Sequence, residues 1–158
     1  MANLNLPVLI YISRVECPAC EGFQDQFGRN VPGFDVEWDK AKYALRGKAR
    51  FVKIKCAPKE GLNAPPPLMK YAGWFPSVVM AGPRSYFRCF TPEDQVNTEE
   101  YSNTYQILGK KFNSVMTPGG YEHSGRPNTA ENLVNWFNIN SENIPDEPTP
   151  PRRFTQYF

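Results

Sequence analysis

Cys17 and Cys20, separated only by Pro18 and Ala19, are the residues in this chain best suited to chemistry. Two thiols at this spacing fit thiol–disulfide exchange. One thiolate attacks, and the second thiol then releases the mixed disulfide. The pair is preceded by Val8-Leu9-Ile10-Tyr11-Ile12, a mostly apolar, β-rich run that reads as a buried strand. Pro18 suits the first turn of a helix, because the N–H it lacks is one the helix would leave unpaired. A strand that delivers Cys-x-x-Cys to a helix N-terminus is a redox arrangement, since the helix dipole there favours thiolate over thiol. A zinc site would want a second cysteine pair. Cys56 and Cys89 are isolated and His123 is the only histidine, so no metal is expected.

The composition sets the frame for that pair. The 158 residues suit one domain with a sizeable core and an appendage. A hydrophobic content of 41% with 22% charged residues is ordinary for a soluble globular chain. A net charge of +2 gives no reason to expect nucleic acid or an anionic membrane as partner. No apolar run approaches the ~20 residues of a membrane helix. Met1 to Pro7 has no basic region of the kind that opens a signal peptide. With only four cysteines, the expectation is a cytoplasmic, reducing setting rather than a disulfide scaffold.

The elements that must position the cysteines follow from pattern. Leu6 to Ser13 reads as the first strand. Pro18 to about Phe27 reads as a helix whose Ala19, Phe23 and Phe27 share a face, broken by Gly28, Pro32 and Gly33. Asp35 to Arg46 reads as a second amphipathic helix carrying Trp38, Ala41, Tyr43, Ala44 and Leu45, with Gly47 as its C-cap. Arg50 to Cys56 alternates as a strand, with Val52, Ile54 and Cys56 inward and Phe51 grouped with Lys53. A proline-rich loop from Ala57 to Pro67 and a helical turn from Leu68 to Tyr71 precede a third strand, Ser77 to Ala81. Ser85 to Phe90 reads as its hairpin partner.

Thr91 to Lys111 is polar and reads as an inserted loop with a short helix around Glu99 to Leu108. Lys111 to Tyr121 suits an edge strand. Asn128-Thr129-Ala130-Glu131 has the form of a capping box opening a last helix, with Leu133, Val134, Trp136 and Phe137 on its apolar face. Ser141 to Phe158 contains four prolines and ends in Phe154, Tyr157 and Phe158. It reads as an extended tail strapped across its own domain or docked on a partner subunit.

In this order the pieces resemble the thioredoxin-like superfamily over about Leu6 to Asn138. Cys17-Pro18-Ala19-Cys20 is similar to the family's active-site motif. Phe51-Val52-Lys53-Ile54 is similar to its parallel strand, and Phe75-Pro76-Ser77-Val78-Val79 to its cis-proline and following strand. Tyr121 to Arg126, with Thr129 to Trp136, is similar to the end of protein-disulfide-isomerase-type domains. The resemblance implies an α/β chain built as a three-layer α/β/α sandwich with a mixed central sheet and helices on both faces. It also implies a thiol–disulfide oxidoreductase acting on protein thiols or disulfides, with no cofactor beyond the cysteine pair.

Cys17 is then the nucleophile with an exposed sulfur, and Cys20 the resolving thiol. Pro76 completes the site, Phe75 offers its backbone to an extended substrate, and Trp74 and Phe75 form a rim that grips peptide. Two positions depart from the family pattern. Tyr11 stands where a buried carboxylate normally assists proton transfer from the resolving thiol. Glu16 replaces the usual aromatic residue before the first cysteine. Near Cys17 the Glu16 carboxylate opposes a thiolate, whereas Arg14 favours one.

These departures, the insertion and the aromatic tail favour a second expectation, a non-catalytic binding or structural module. In overall character the chain resembles thioredoxin-like proteins of large DNA viruses, including ones incorporated in virions. Cys56 and Cys89 are expected to be small buried apolar residues, His123 a surface residue, and Phe23, Phe27, Trp136 and Phe137 core.

Overall fold

Strand β1, Val8–Arg14, has six consecutive buried residues, a pattern that requires cover on both faces. The computed structural model describes residues 5–72, 75–83, 105–108 and 128–144, and β1 lies inside its four-stranded sheet. It pairs in parallel with β4, Arg50–Cys56, and antiparallel with β5, Ser77–Ala81. A short β6, Tyr105–Ile107, runs parallel to β5, giving the order β4-β1-β5-β6. The chain is thus mixed α/β with a mixed sheet.

Side chains alternate across the sheet with the period of two that a strand imposes. Leu9, Tyr11, Val78, Met80, Tyr105 and Ile107 share one cluster with the helices. Val8, Ile10, Ile12, Val79 and Ala81 share the other. Helix α2, Phe34–Ala44, and helix α3, Ala130–Asn140, supply Phe34, Trp38, Ala41, Leu133, Trp136 and Phe137 to the first. The second is closed by Ala64, Leu68 and Tyr71, the last two from a 3-10 segment, Pro66–Tyr71. Among the described residues, then, the α-helices cover one face and a 3-10 helix helps to cover the other.

Several expectations change. The helix after the cysteines is a single turn, α1, Pro18–Glu21. Gly22, at φ +95°, ends it, and the chain turns into a two-stranded ribbon of β2, Phe23–Gln24, and β3, Asn30–Val31. Phe23 and Phe27 therefore leave the core and are 50% and 71% exposed. Asp25 holds the ribbon's tip by accepting from the Phe27 and Arg29 backbone N–H groups, both at 2.9 Å.

The ribbon returns to Gly33, where a Cβ would stand 2.5 Å from the Cys20 carbonyl oxygen, so glycine is required by close backbone approach. On β4, Phe51 faces the helices and meets Trp38 edge-on, while Val52 is half-exposed because β4 is an edge strand. Residues 105–107 are strand rather than the expected helix. Gln106 is buried there and donates to the Tyr71 carbonyl at 3.3 Å, which hides the apolar period of this strand.

Helix α3 is not opened by the expected box on Asn128. Its N-cap is Thr129, extended at φ −115° and ψ 158°, and Thr129 Oγ1 accepts from the Asn132 N–H at 3.1 Å. Glu37 on α2 accepts from the Ala130 N–H at 2.9 Å, so the two helices share a cap. The hairpin partner expected at 85–90, the edge strand at 111–121, most of the expected insertion and the tail from 145 onward lie outside the described residues. No helix among the described residues is long and apolar enough to cross a membrane.

Candidate active site

The cysteines sit where β1 ends. Val15 N–H donates to the Cys56 carbonyl at 2.9 Å, which ties the turn to β4. Glu16 then takes a left-handed conformation, φ 56°, and reverses the chain. Cys17 is extended and caps the short helix with its carbonyl, which accepts from the Cys20 and Glu21 N–H groups at 3.0 and 2.9 Å. Cys17 and Cys20 are joined as a disulfide with their Cα atoms 5.2 Å apart.

The expected exposed sulfur is not found. Cys17 is only 5% and Cys20 0% exposed, because both side chains pack into the cluster that holds Tyr11, Phe34 and Trp38. With only one turn of helix, the dipole at Cys17 is also weaker than a ten-residue helix would provide.

Phe75 and Pro76 lead directly into β5, whose Ser77 pairs with Ile12 two residues before β1 ends. They therefore lie at the same end of the sheet as the cysteines. The Phe75–Pro76 bond is cis, as the resemblance implies, and Pro76 is buried. Phe75 packs against both core clusters, and the Arg14 guanidinium carbon lies 5.4 Å from its ring centroid. Trp74, Cys89 and His123 lie outside the described residues.

The electrostatics around the pair come from β1, α1, α2, β4 and the turns beside them. Lys55 on β4 meets Glu21 at 2.8 Å, and this contact pushes the Lys55 amine upward. Lys59 meets Glu16 at 3.5 Å, fully at the surface. Tyr11 is buried, and its hydroxyl donates to Asp35 Oδ1 at 2.8 Å. Lys53, beside Tyr11 on β4, donates to the same oxygen at 3.2 Å. Burial first, and then the Asp35 and Glu21 carboxylates, push the Tyr11 phenol far upward, with the Ser13 hydroxyl working the other way.

Asp35 was read from sequence only as the start of a helix. Nothing local marks its link to Tyr11, because the two are 24 positions apart and meet only when α2 packs on the sheet.

A shallow cleft of 340 Å³ adjoins the motif, lined by Ala19, Pro32, Gly33, Phe34, Glu37 and Asn128. No group of three or more His, Cys, Asp or Glu among the described residues could hold a metal ion. Cys56 is buried and free, and burial pushes its thiol upward, which disfavours the thiolate. Comparison of the chain with protein-family models, curated proteins and solved structures found no match.

Proposed function

We propose that the chain is a thioredoxin-like thiol–disulfide oxidoreductase that acts on protein thiols or disulfides through Cys17 and Cys20. The observation that carries this reading is the bonded pair at the turn following a central strand. In the reducing direction, the Cys17 thiolate attacks a substrate disulfide and one substrate sulfur leaves as thiolate. Cys20 then gives up its proton and attacks the Cys17 sulfur. The second substrate sulfur leaves, and the substrate has gained two electrons and two protons while the pair becomes a disulfide. The cysteines carry the electrons, so no separate cofactor enters.

Phe75, with Trp74 before it and Pro76 after it, offers the backbone edge along which an extended substrate adds as a strand. A cytoplasmic setting suits this use, since it keeps the pair supplied with reductant. The test is catalysed reduction of insulin with dithiothreitol as electron donor. Cys17→Ser is expected to abolish the catalysed rate, and wild-type turnover by that variant would remove the reading.

The burial of both sulfurs favours a second reading, a thioredoxin-like binding or structural module, such as a virion component held to a partner subunit by its tail. Thiol titration of the native protein after mild oxidation separates the two. A pair that cycles and turns over insulin supports the enzyme. A pair that stays inert, with the tail required for assembly, supports the module.

A further inference from the structure

The cleft beside the cysteine turn bears on which substrates the pair meets. Ala19, from between the two cysteines, lines it, and so does Gly33, whose backbone packs against that of Cys20. Ala19 lies two residues from Cys17, no farther than the ~7 Å that two extended residues of a bound peptide span. We propose that this cleft is a specificity subsite that takes an arginine side chain flanking the cysteine of a protein substrate, with Glu37 as its counter-charge. This rests on the oxidoreductase reading of the same pair.

Glu37, on α2, is the charged residue of the lining. Its Oε1 accepts from the Ala130 N–H at 2.9 Å and its Oε2 from the Lys40 amine at 3.2 Å. A carboxylate offers about four acceptor positions, so both oxygens keep room for a further donor. The Ala130 N–H bond chiefly, and then Lys40, hold the carboxyl below its usual range, so it meets a ligand already charged. Lys40 competes weakly, because its side chain is 63% exposed and exposed ion pairs contribute little. Asn128 also lines the cleft, and its Oδ1 is buried with no donor among the described residues. Ala19 and Phe34 add apolar lining of the kind that covers the methylene stem of a long side chain.

The start of α2 contributes Gly33 and Phe34 to the lining, and a helix N-terminus by itself favours an anion. Here that charge is already answered. Helix α2 carries Asp35 and Glu37 in its first turn, and α3 carries Glu131 in its own. An entering anion is repelled by these carboxylates, whereas a cation is attracted. At the cysteine turn itself the charges are paired, Glu21 with Lys55 and Glu16 with Lys59. A guanidinium suits the cleft better than an ammonium. It is planar and more weakly hydrated, and its fork of donors serves one carboxylate and still reaches a second acceptor.

The test uses the reduced full-length chain and short peptides with one cysteine, activated as the mixed disulfide with thionitrobenzoate. An arginine, or its uncharged isostere citrulline, stands one or two residues before or after that cysteine. Cys17 attacks the peptide sulfur, and thionitrobenzoate leaves as a coloured thiolate that stopped flow records. Each rate is divided by that of the same peptide with free dithiothreitol, which removes intrinsic differences between the disulfides. The arginine-to-citrulline ratio is expected to reach at least about threefold at one position, as a charge-assisted hydrogen bond gives. Glu37→Gln is expected to bring that ratio below half its wild-type value. Lys40→Met, which removes the competing donor, is expected to raise it about two- to threefold. Because each ratio is taken within one variant, a general loss of reactivity cancels.

A wild-type ratio below about threefold at every position overturns the proposal. So does a ratio that Glu37→Gln leaves above half its wild-type value, which long-range attraction to the molecule at large would give. Should Glu37→Gln fail to fold, Lys40→Met, at the surface, decides the matter, and a ratio no higher than wild type then overturns the proposal. Wild-type protein that releases thionitrobenzoate no faster than Cys17→Ser overturns the oxidoreductase reading and this subsite with it. Protein that reacts through Cys17 with every peptide at one normalised rate overturns the subsite alone.

Discussion

The two faces of the sheet are built from the same strands and differ in kind. One is mostly aliphatic: Val8, Ile10 and Ile12 share a cluster with Val79, Ala81 and Leu68, and Tyr71 is fully buried among them. The other is rich in rings and carries polar atoms, with Tyr11, Phe34, Trp38, Tyr105 and Trp136 in one cluster with the cysteine pair. Neighbouring residues of β1 serve opposite ends. Ile10 supplies only apolar area, whereas Tyr11 also holds a hydrogen bond to a carboxylate. The difference teaches that stability and chemistry are separated across a single pleat. A substitution on one face is expected to leave the other's property nearly untouched.

The strongest way to break that comparison is a cavity on the aliphatic face. Ile10→Ala is expected to lower unfolding free energy by about 2–5 kcal/mol in urea titration. Below its lowered unfolding midpoint, the Cys17–Cys20 pair should oxidise as in wild type. A large change in the pair's reactivity would show that the faces are coupled.

On the chemical face, Gly33→Ala is expected to cost about 1–3 kcal/mol, since the obstacle is backbone rather than a flexible side chain. It should also alter the pair's reactivity by displacing the Cys20 turn, which thiol titration would read.

Smaller effects sharpen the comparison at the helix layer. The Ala130 N–H bond chiefly, and then Lys40, hold the Glu37 carboxyl below the usual range. A lowered folded pKa gives stability that is full above the unfolded glutamate's ~4.3 and disappears as pH falls through the lower folded value. Glu37→Gln is expected to lower stability at neutral pH by about 1 kcal/mol and to flatten this acid dependence. Urea midpoints measured across that range would check it, and an unchanged slope would sink it.

Smallest of all, Glu16→Gly is expected to raise stability by about 0.5 kcal/mol. Glycine adopts the left-handed backbone of this residue freely, and the loss of chain entropy offsets part of the gain. A fall in melting temperature would contradict this.

How much could be read in the sequence varies with how local the physics is. Strands β4 and β5 have the bounds that the alternation of one and the continuous apolar run of the other imply, Arg50–Cys56 and Ser77–Ala81. The pair at Cys17 and Cys20 and the Phe75–Pro76 bond were legible from short motifs. The helix beyond Glu21 was not, because Ala19, Phe23 and Phe27 imitate a helical face while Gly22 alone decides the turn. Strand β6 was hidden by the polarity of Gln106, whose buried amide N–H donates to a carbonyl 35 positions away. The Asp35 link to Tyr11 and the Glu37 cap on α3 depend on how α2 docks, and neither partner signals the other along the chain.

The excursion between Gly22 and Gly33 has a consequence of another sort. Its two ends abut through their backbones beside Cys20, and the ribbon between them closes on itself through β2 and β3. Phe23 and Phe27 contribute nothing to the buried clusters. The segment from Phe23 to Pro32 can therefore be rewritten, lengthened or replaced by another short loop at little entropic cost, provided both glycines stay. Evolution has a free hand there, within reach of the cysteines and outside the constraints of the core.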